Sequence, residues 1–594
     1  MRHLLHFLIL FCAFSLYASE NIITTSSGKV SAQNNNGVLF FEDIPYAQPP
    51  VGYLRWKAPR EIKSNETIIK PKNDNFCVQR PSNLGGIDSE GDFVGTEDCL
   101  YLDIHKPKKH TEKLPVMFWI HGGGNTSGYK DIYDFSKMVK KHDVIVVRLN
   151  YRLGPFGWFY HPSLQGLQNG IDKTSNFGTL DIISALKWVK QNIELFGGDS
   201  ENITIFGESA GGHNVFSLLV SPKANGLFHK AISMSGYTTT INQEKSYKQD
   251  KQSSTSDFTS FNIVDMILED NNQSRIQESY SDTELRDILL TLSTEDFFKH
   301  YSNREPYQEL PLLQSDGIVI PKQGLRNALS NPKYIKQIPI IAGSNKDEVK
   351  LWLASARYFV DLDYSILGTI FRIPKVILKD EDAFSAFNYY RSSAWKIRGV
   401  DIPIQSIAKA GNNNLYAYRY DWDDHRRYVV ADFKKLIGAA HATEIPLLAG
   451  NAKLVDGYPL SDLIYPAGKS KYFTSKNMMR FWTNFAKSGD PGESTNRIKW
   501  DSIVENDELR SSFITLDDKK NLKIRSERKT FKSLSQELYK DSRVSDLEKC
   551  VILLQMFTFV GNDLYDENIE HYPGKCDRRS SENFLVENAS FIEY

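Results

Sequence analysis

The sequence predicts an α/β fold: a large, mostly parallel, twisted central sheet with helices on both faces. Three observations carry that expectation. Short apolar runs rich in β-branched residues recur along the first half, separated by stretches with helical spacing. Several of these runs stop at glycines. The composition, 41% hydrophobic and 24% charged over 594 residues, fits a chain with a large core and argues against a disordered one.

The elements follow in chain order. Val116-Met-Phe-Trp-Ile120 is an uninterrupted apolar run that ends at glycines, the pattern of a buried strand. Val144-Ile-Val-Val-Arg-Leu149 is a second. Segment 182–193 places Ile182, Ala185, Leu186 and Val189 on one helical face, and Gly197-Gly198 stops it. Ile203-Thr-Ile-Phe206 is a third strand, followed at once by Gly207 and a helix to about Val220. Segments 231–234, 339–342 and 415–420 read as further strands. Strands alternating with helices imply parallel pairing. The run 551–560 is too short for a bilayer and contains Gln555, so it is expected to be a packed helix. Segment 242–285 is dense in polar residues and is expected to be a solvated insertion. Segment 566–581 is expected to be a loose tail.

A formal net charge of −1 gives no overall basic field for a nucleic-acid partner. The first nineteen residues read as a cleaved secretory signal: Arg2, an apolar stretch from Leu4 to Tyr17, then the small residues Ala18 and Ser19. No later segment is expected to span a membrane. Of five cysteines, Cys12 lies in that signal, leaving Cys77, Cys99, Cys550 and Cys576 for an oxidising compartment. They lack the paired spacing of a zinc site. The expected organisation is a signal over 1–19, a catalytic domain over 20–545, and a C-terminal helix with a polar tail over 546–594.

The chemistry centres on Ile205-Phe-Gly-Glu-Ser-Ala-Gly-Gly212. Gly207-x-Ser209-x-Gly211 sits between a strand and a helix. A serine there occupies a sharp turn, and side chains in place of the flanking glycines would clash. The turn would lift the Ser209 hydroxyl to the sheet edge, and the helix would aim its N–H groups at an oxyanion. The plainer alternative is a glycine-rich packing turn. Upstream, His121-Gly-Gly-Gly124 follows the strand ending at Ile120. Three glycines let the backbone approach a ligand, and two amides of this run with that of Ala210 are the expected oxyanion donors. The order of the two motifs is that of an α/β-hydrolase.

A serine nucleophile needs a base, and the base an orienting acid. Among 13 histidines, His105, His110, His142 and His425 sit among charged residues and are expected at the surface. His441 lies in the small-residue segment Gly438-Ala-Ala-His-Ala-Thr-Glu444, where an imidazole could reach across a cleft. On position alone, a structural histidine is the readier reading. Asp347 and Glu348, after the 339–342 strand, are both candidate acids, and a loop carboxylate is most often simply solvated.

The chain resembles the type-B carboxylesterase/cholinesterase family of α/β-hydrolases over nearly all of 22–540. The resemblance rests on Ile44-Pro-Tyr-Ala47, Pro49-Pro-Val-Gly52, Glu97-Asp-Cys-Leu-Tyr-Leu102, His121-Gly-Gly-Gly124, Asn150-Tyr-Arg-Leu-Gly-Pro-Phe-Gly157, Phe196-Gly-Gly-Asp199 and Gly207-Glu-Ser-Ala-Gly-Gly212. It continues through Asn345-Lys-Asp-Glu348, Gly438-Ala-Ala-His441, Phe481-Trp-Thr-Asn-Phe-Ala-Lys487 and Gly489-Asp-Pro491. The resemblance implies Ser209 as nucleophile, His441 as base and then acid, and Glu348, not Asp347, as its orienter. It implies Gly123, Gly124 and Ala210 as oxyanion-hole donors, and Glu208 as a residue shaping the field. It pairs Cys77 with Cys99, Arg55 with Glu97, and Arg152 with Asp181. The family's long C-terminal bridge cannot form, since no cysteine lies between Cys99 and Cys550. Cys550 with Cys576 is the remaining pairing.

The expected function is therefore a secreted or periplasmic serine carboxylesterase acting on small carboxylic esters, with no metal or organic cofactor. The alternatives are a catalytically inactive adhesion or binding protein on the same fold, or a lipase. The resemblance also implies a preference for neutral esters. The tryptophan that cholinesterases place between the first two bridged cysteines is absent, and Phe93 is the only aromatic residue between Cys77 and Cys99. The residues do not settle an oligomeric state.

Overall fold

The computed structural model describes residues 22–588 except 64–65, 73–74, 87–88, 249–258, 271–275, 303–312, 364–374, 452–463, 504–511 and 561. The expected signal over 1–19 lies outside the described residues.

Among the described residues, eleven strands form the central sheet: β1 Gln33–Asn35, β2 Val38–Pro45, β3 Tyr101–Pro107, β4 Leu114–Ile120, β5 Ile145–Leu149, β6 Gly198–Glu208, β7 Lys230–Met234, β8 Ile340–Asn345, β9 Leu415–Tyr420, β10 Ser512–Leu516 and β11 Lys523–Ser526. Their spatial order is β11-β10-β9-β8-β7-β6-β4-β5-β3-β2-β1. Pairing is parallel from β10 through β5. It turns antiparallel at both flanks.

The helices that matter for the site are α1 Phe177–Asn192, α2 Ala210–Val220, α3 Ser260–Asp270, α4 Glu381–Lys396, α5 Lys469–Ser488, α6 Asp546–Phe557 and α7 Arg578–Glu587. The strand alternation decides which helices lie where. Met117, Trp119, Val146, Phe206 and Ile341 face one side and pack with α4, α5 and α6. Val116, Phe118, Ile145, Val147, Ile203 and Ile205 face the other and pack with α1 and α2. A mostly parallel sheet buried on both faces explains why the strands read as continuous apolar runs. The α/β class expected from those runs is the class observed.

Four expectations need correction. Part of 242–285 is not a solvated insertion: α3 buries Ile263, Val264, Ile267 and Leu268 in a third cluster with Trp56 and Phe297. Its apolar positions are at helical spacing, which the surrounding polar residues mask. Segments 249–258 and 271–275 lie outside the described residues. The 566–581 segment is ordered: α7 packs on α6, and a Cys550–Cys576 disulfide ties α6 to the chain just before α7. His105 is buried against Arg148, because its strand lies inside the sheet. His425 is buried between the carbonyls of Ile464 and Gly438.

The Cys77–Cys99 disulfide is present. So are the buried ion pairs Arg55–Glu97 at 2.5 Å and Arg152–Asp181 at 2.7 Å.

Candidate active site

Ser209 stands between β6 and α2 with φ 57° and ψ −120°, a conformation that a non-glycine residue holds only when its surroundings enforce it. The enforcement comes from backbone contact. A Cβ at Gly207 would lie 2.7 Å from the Ile120 carbonyl oxygen, and one at Gly211 would collide with that same oxygen. The two glycines therefore let the turn press against the end of β4. The Ser209 amide donates to the Met234 carbonyl at 2.9 Å, which ties the turn to β7.

The loop after β4 lies directly on this turn. A Cβ at Gly122 would fall 2.8 Å from the Glu208 carbonyl oxygen. Gly123 and Gly124 have φ of 98° and 65°. Among the described residues, the amides of Gly123, Gly124 and Ala210 donate to no other protein group. They are available to an incoming oxyanion. His121 braces the loop from below: its Nδ1 contacts the Gly122 carbonyl at 2.8 Å, and its ring stacks on Tyr151. Burial lowers its pKa to about 4, so it stays neutral. Asn125, which opens a potential glycosylation sequon, is buried and accepts from Asn214.

His441 arrives from the segment after β9. Its Nδ1 lies 2.6 Å from Glu348 Oε2, and its backbone amide donates to the Glu348 carbonyl at 3.1 Å. Glu348 is fully buried, and its Oε1 accepts from the Asn345 amide at 2.7 Å. Asp347 faces elsewhere. It accepts from the Ala439 amide at 3.1 Å and from Asn388 at 2.7 Å, with Lys350 at 3.3 Å. Although burial alone would raise its pKa, Lys350, Lys346 and these hydrogen bonds hold it below the usual carboxylate range. One carboxylate meets the imidazole and its neighbour pins the loop that carries it.

The remaining nitrogen, Nε2, lies 3.1 Å from Glu208 Oε1, although that oxygen makes no hydrogen bond of good geometry. Among the described residues, no hydrogen bond joins Ser209 Oγ to His441. Catalytic hydrogen bonds without substrate are often long or misaligned. Sequence reading missed several neighbours. Glu444 is fully buried, with Oε2 accepting from Asn345 at 2.5 Å. Burial, then charge repulsion within the Glu208–Glu348–Glu444 group, pushes the pKa values of Glu208 and Glu444 well up. Trp352 and Trp395 pack on the imidazole with ring centroids 5.1 and 4.7 Å away. Glu444 stood within the quoted histidine segment, whereas nothing local marks either tryptophan. Among the described residues, no group of three or more His, Cys, Asp or Glu could hold a metal ion.

The family model that matches the chain is described as the carboxylesterase family, over residues 19–365 and 385–534. The para-nitrobenzyl esterase of Bacillus subtilis is 31% identical over 519 residues, 84% of this chain and 95% of that protein. A liver carboxylesterase of Sus scrofa is 30% identical over 526 residues, 80% of this chain and 86% of that protein. Among solved structures, a PNB esterase superposes with a TM-score of 0.65 at 28% identity, covering 86% of this chain and 97% of the other. A carboxylesterase of Geobacillus stearothermophilus gives 0.64 at 26% identity, covering 86% and 98%.

Proposed function

The chain belongs to the carboxylesterase family, and from that premise we propose that it hydrolyses small neutral carboxylic esters through an acyl-enzyme on Ser209. That it is a carboxylic ester hydrolase sets aside the inactive binding protein as an alternative. The observation that carries the mechanism is the 2.6 Å contact from Glu348 to His441 beside a strained Ser209.

Ser209 Oγ attacks the ester carbonyl carbon as His441 Nε2 takes the hydroxyl proton. Glu348 accepts from Nδ1–H, fixing the tautomer and balancing the imidazolium. The carbonyl oxygen, now an oxyanion, accepts from the amides of Gly123, Gly124 and Ala210. The tetrahedral intermediate collapses, and the departing alkoxy oxygen takes the proton from Nε2. Water then attacks the acyl carbon, gives its proton to Nε2, and a second collapse returns that proton to Ser209 and releases the acid. Glu208 lies against Nε2 in the resting site, so substrate binding exchanges it for the Ser209 hydroxyl.

The chain acts outside the reducing cytoplasm after losing residues 1–19. Two disulfides support that reading. No helix among the described residues is long and apolar enough to cross a membrane.

One experiment tests the whole. The full chain is expressed with its N-terminus, recovered from the exported fraction and sequenced from the mature end. It is assayed on p-nitrophenyl esters, and on acetylthiocholine against its uncharged carbon isostere. Ser209→Ala should lose about 10⁴-fold or more in kcat with little change in Tm. Near-wild-type turnover of that variant would sink the mechanism. Absence from the exported fraction would sink the export, an intact residue 1 would sink the cleavage, and a cation preference above about tenfold would sink the substrate class.

A further inference from the structure

The C-terminal segment meets the catalytic histidine through one aromatic ring. Trp395, in the last turn of α4, packs 4.7 Å from the His441 ring and donates its indole N–H to the Ser235 carbonyl at 3.1 Å. Trp395 also meets Phe559 edge-on at 4.6 Å. The same Phe559 ring reaches Tyr237 at 5.5 Å, and Tyr237 in turn lies over His213 of α2 at 4.3 Å. Phe559 belongs to the short ribbon Thr558–Phe559 and Asn562–Asp563 that follows α6. That ribbon lies beyond residue 534, where the family match ends.

We propose that Phe559 determines substrate size: with Trp395 and Tyr237 it closes an aromatic wall against which the hydrocarbon chain of the ester ends. The proposal rests on the reading of Ser209 and His441 as nucleophile and base. It makes part of the C-terminal segment a component of the substrate pocket rather than an appendage.

Phe559 is held in place, not loosely packed. The turn after α4, Ile397–Asp401, is a π-turn, a distortion of helical geometry found often at functional sites. From it, Arg398 donates to the Met556 carbonyl and places its guanidinium 4.6 Å from the centre of the Phe559 ring. Gly399 brings the same turn onto the loop after β7, since a Cβ there would collide with the Gly236 carbonyl oxygen. The Cys550–Cys576 disulfide fastens α6, which carries the ribbon, to the chain that follows. Val560, next to Phe559, has φ 42°. A β-branched residue holds that conformation only where its surroundings impose it.

Indole, phenol and phenyl rings make up the wall, so a chain that ends on it is apolar. Its members are nearly sealed, with Tyr237, Trp395 and Phe559 at 2%, 4% and 8% exposure. A chain that outgrows the space must displace a ring clamped by Arg398. Tightly packed side chains resist such displacement.

The test uses full-length Phe559→Ala and the milder Phe559→Leu. One arm runs p-nitrophenyl acetate to dodecanoate at a fixed leaving group. The other runs methyl to octyl acetates at a fixed acyl group. In one series, the ratio of kcat/KM for the longest to the shortest ester should rise about tenfold or more in Phe559→Ala, and in the same direction but less in Phe559→Leu. The series that moves assigns the wall to the acyl or the alkoxy side. A purely structural role would lower every substrate by one factor, and that result, or unchanged profiles in both series, overturns the proposal. Ser209→Ala is measured alongside. If it keeps turnover, the catalytic reading fails, and the chain-length profile is read separately from it.

Discussion

The turn that carries Ser209 and the segment that carries His441 sit side by side yet are held by different means. The serine turn is held by backbone pressed on backbone: Gly207, Gly211 and Gly122 each lack a Cβ where a carbonyl oxygen lies. The histidine segment adds side chains to two backbone hydrogen bonds: Glu348 on the imidazole, Asp347 on the Ala439 amide, Asn345 on the Ala440 carbonyl at 2.7 Å, and two tryptophans on the ring. A site built from backbone fails by losing its shape. A site built from side chains can lose its chemistry while keeping its shape.

The largest effect is expected where backbone contact is broken. Gly211→Ala sets a methyl group against the Ile120 carbonyl oxygen, which cannot move without distorting β4. We expect a stability loss on the order of 3 kcal/mol or more, with ester turnover and Tm falling together. A variant with normal Tm and normal turnover would show that the turn has slack the geometry denies.

The matching change on the side-chain half is Glu348→Gln. It keeps the volume and an acceptor for the Asn345 amide but mis-sets the imidazole tautomer. We expect kcat to fall about 10³–10⁴-fold with Tm nearly held. Asp347→Asn should do the reverse: a modest loss of rate, and about 1–3 kcal/mol of stability from weakened buried hydrogen bonds. If steady-state kinetics and urea melts give the opposite pairing, the two carboxylates have exchanged roles.

Glu208 belongs to the strand before the serine, yet its proton is held first by burial and then by a carboxylate beside the histidine. Burial and then the Glu348 charge raise its pKa above 4.5. The folded state therefore binds a proton that the unfolded state releases. The associated stability is complete below about pH 4.5 and is lost as pH rises through the folded value. Glutamine does not titrate. The stability of Glu208→Gln relative to wild type should thus grow by about 1.4 kcal/mol per pH unit above 4.5 until Glu208 ionises. Urea melts at pH 5, 6, 7 and 8 measure it, and a constant difference would place the proton elsewhere.

The same contrast explains what could be read from the sequence. The serine turn was legible because a backbone requirement leaves a local trace: glycines at set offsets after a β-branched run. The sheet was legible for a related reason, since strands buried on both faces are apolar at every position. The carboxylate that meets His441 was legible only as one of two adjacent carboxylates until a family resemblance chose between them. Trp352, Trp395 and Phe559 were not legible. Their partners lie up to hundreds of residues away, and an aromatic residue in a helix or ribbon looks the same in sequence whether it packs in a core or on the imidazole of His441. His105 and His425 failed for the converse reason: their charged neighbours in sequence are not their neighbours in space.

The double attachment between the turn after β8 and the histidine segment has a mechanical consequence. Asp347 donates its amide to the Ala439 carbonyl at 3.0 Å and accepts from the Ala439 amide, and the His441 amide reaches the Glu348 carbonyl. These bonds form a short cross-tie upstream of the imidazole. They fix the backbone of the histidine segment to the turn that carries Glu348. Glu348 and His441 are thereby carried as one rigid part, their separation set by the main chain as well as by the contact between carboxylate and imidazole.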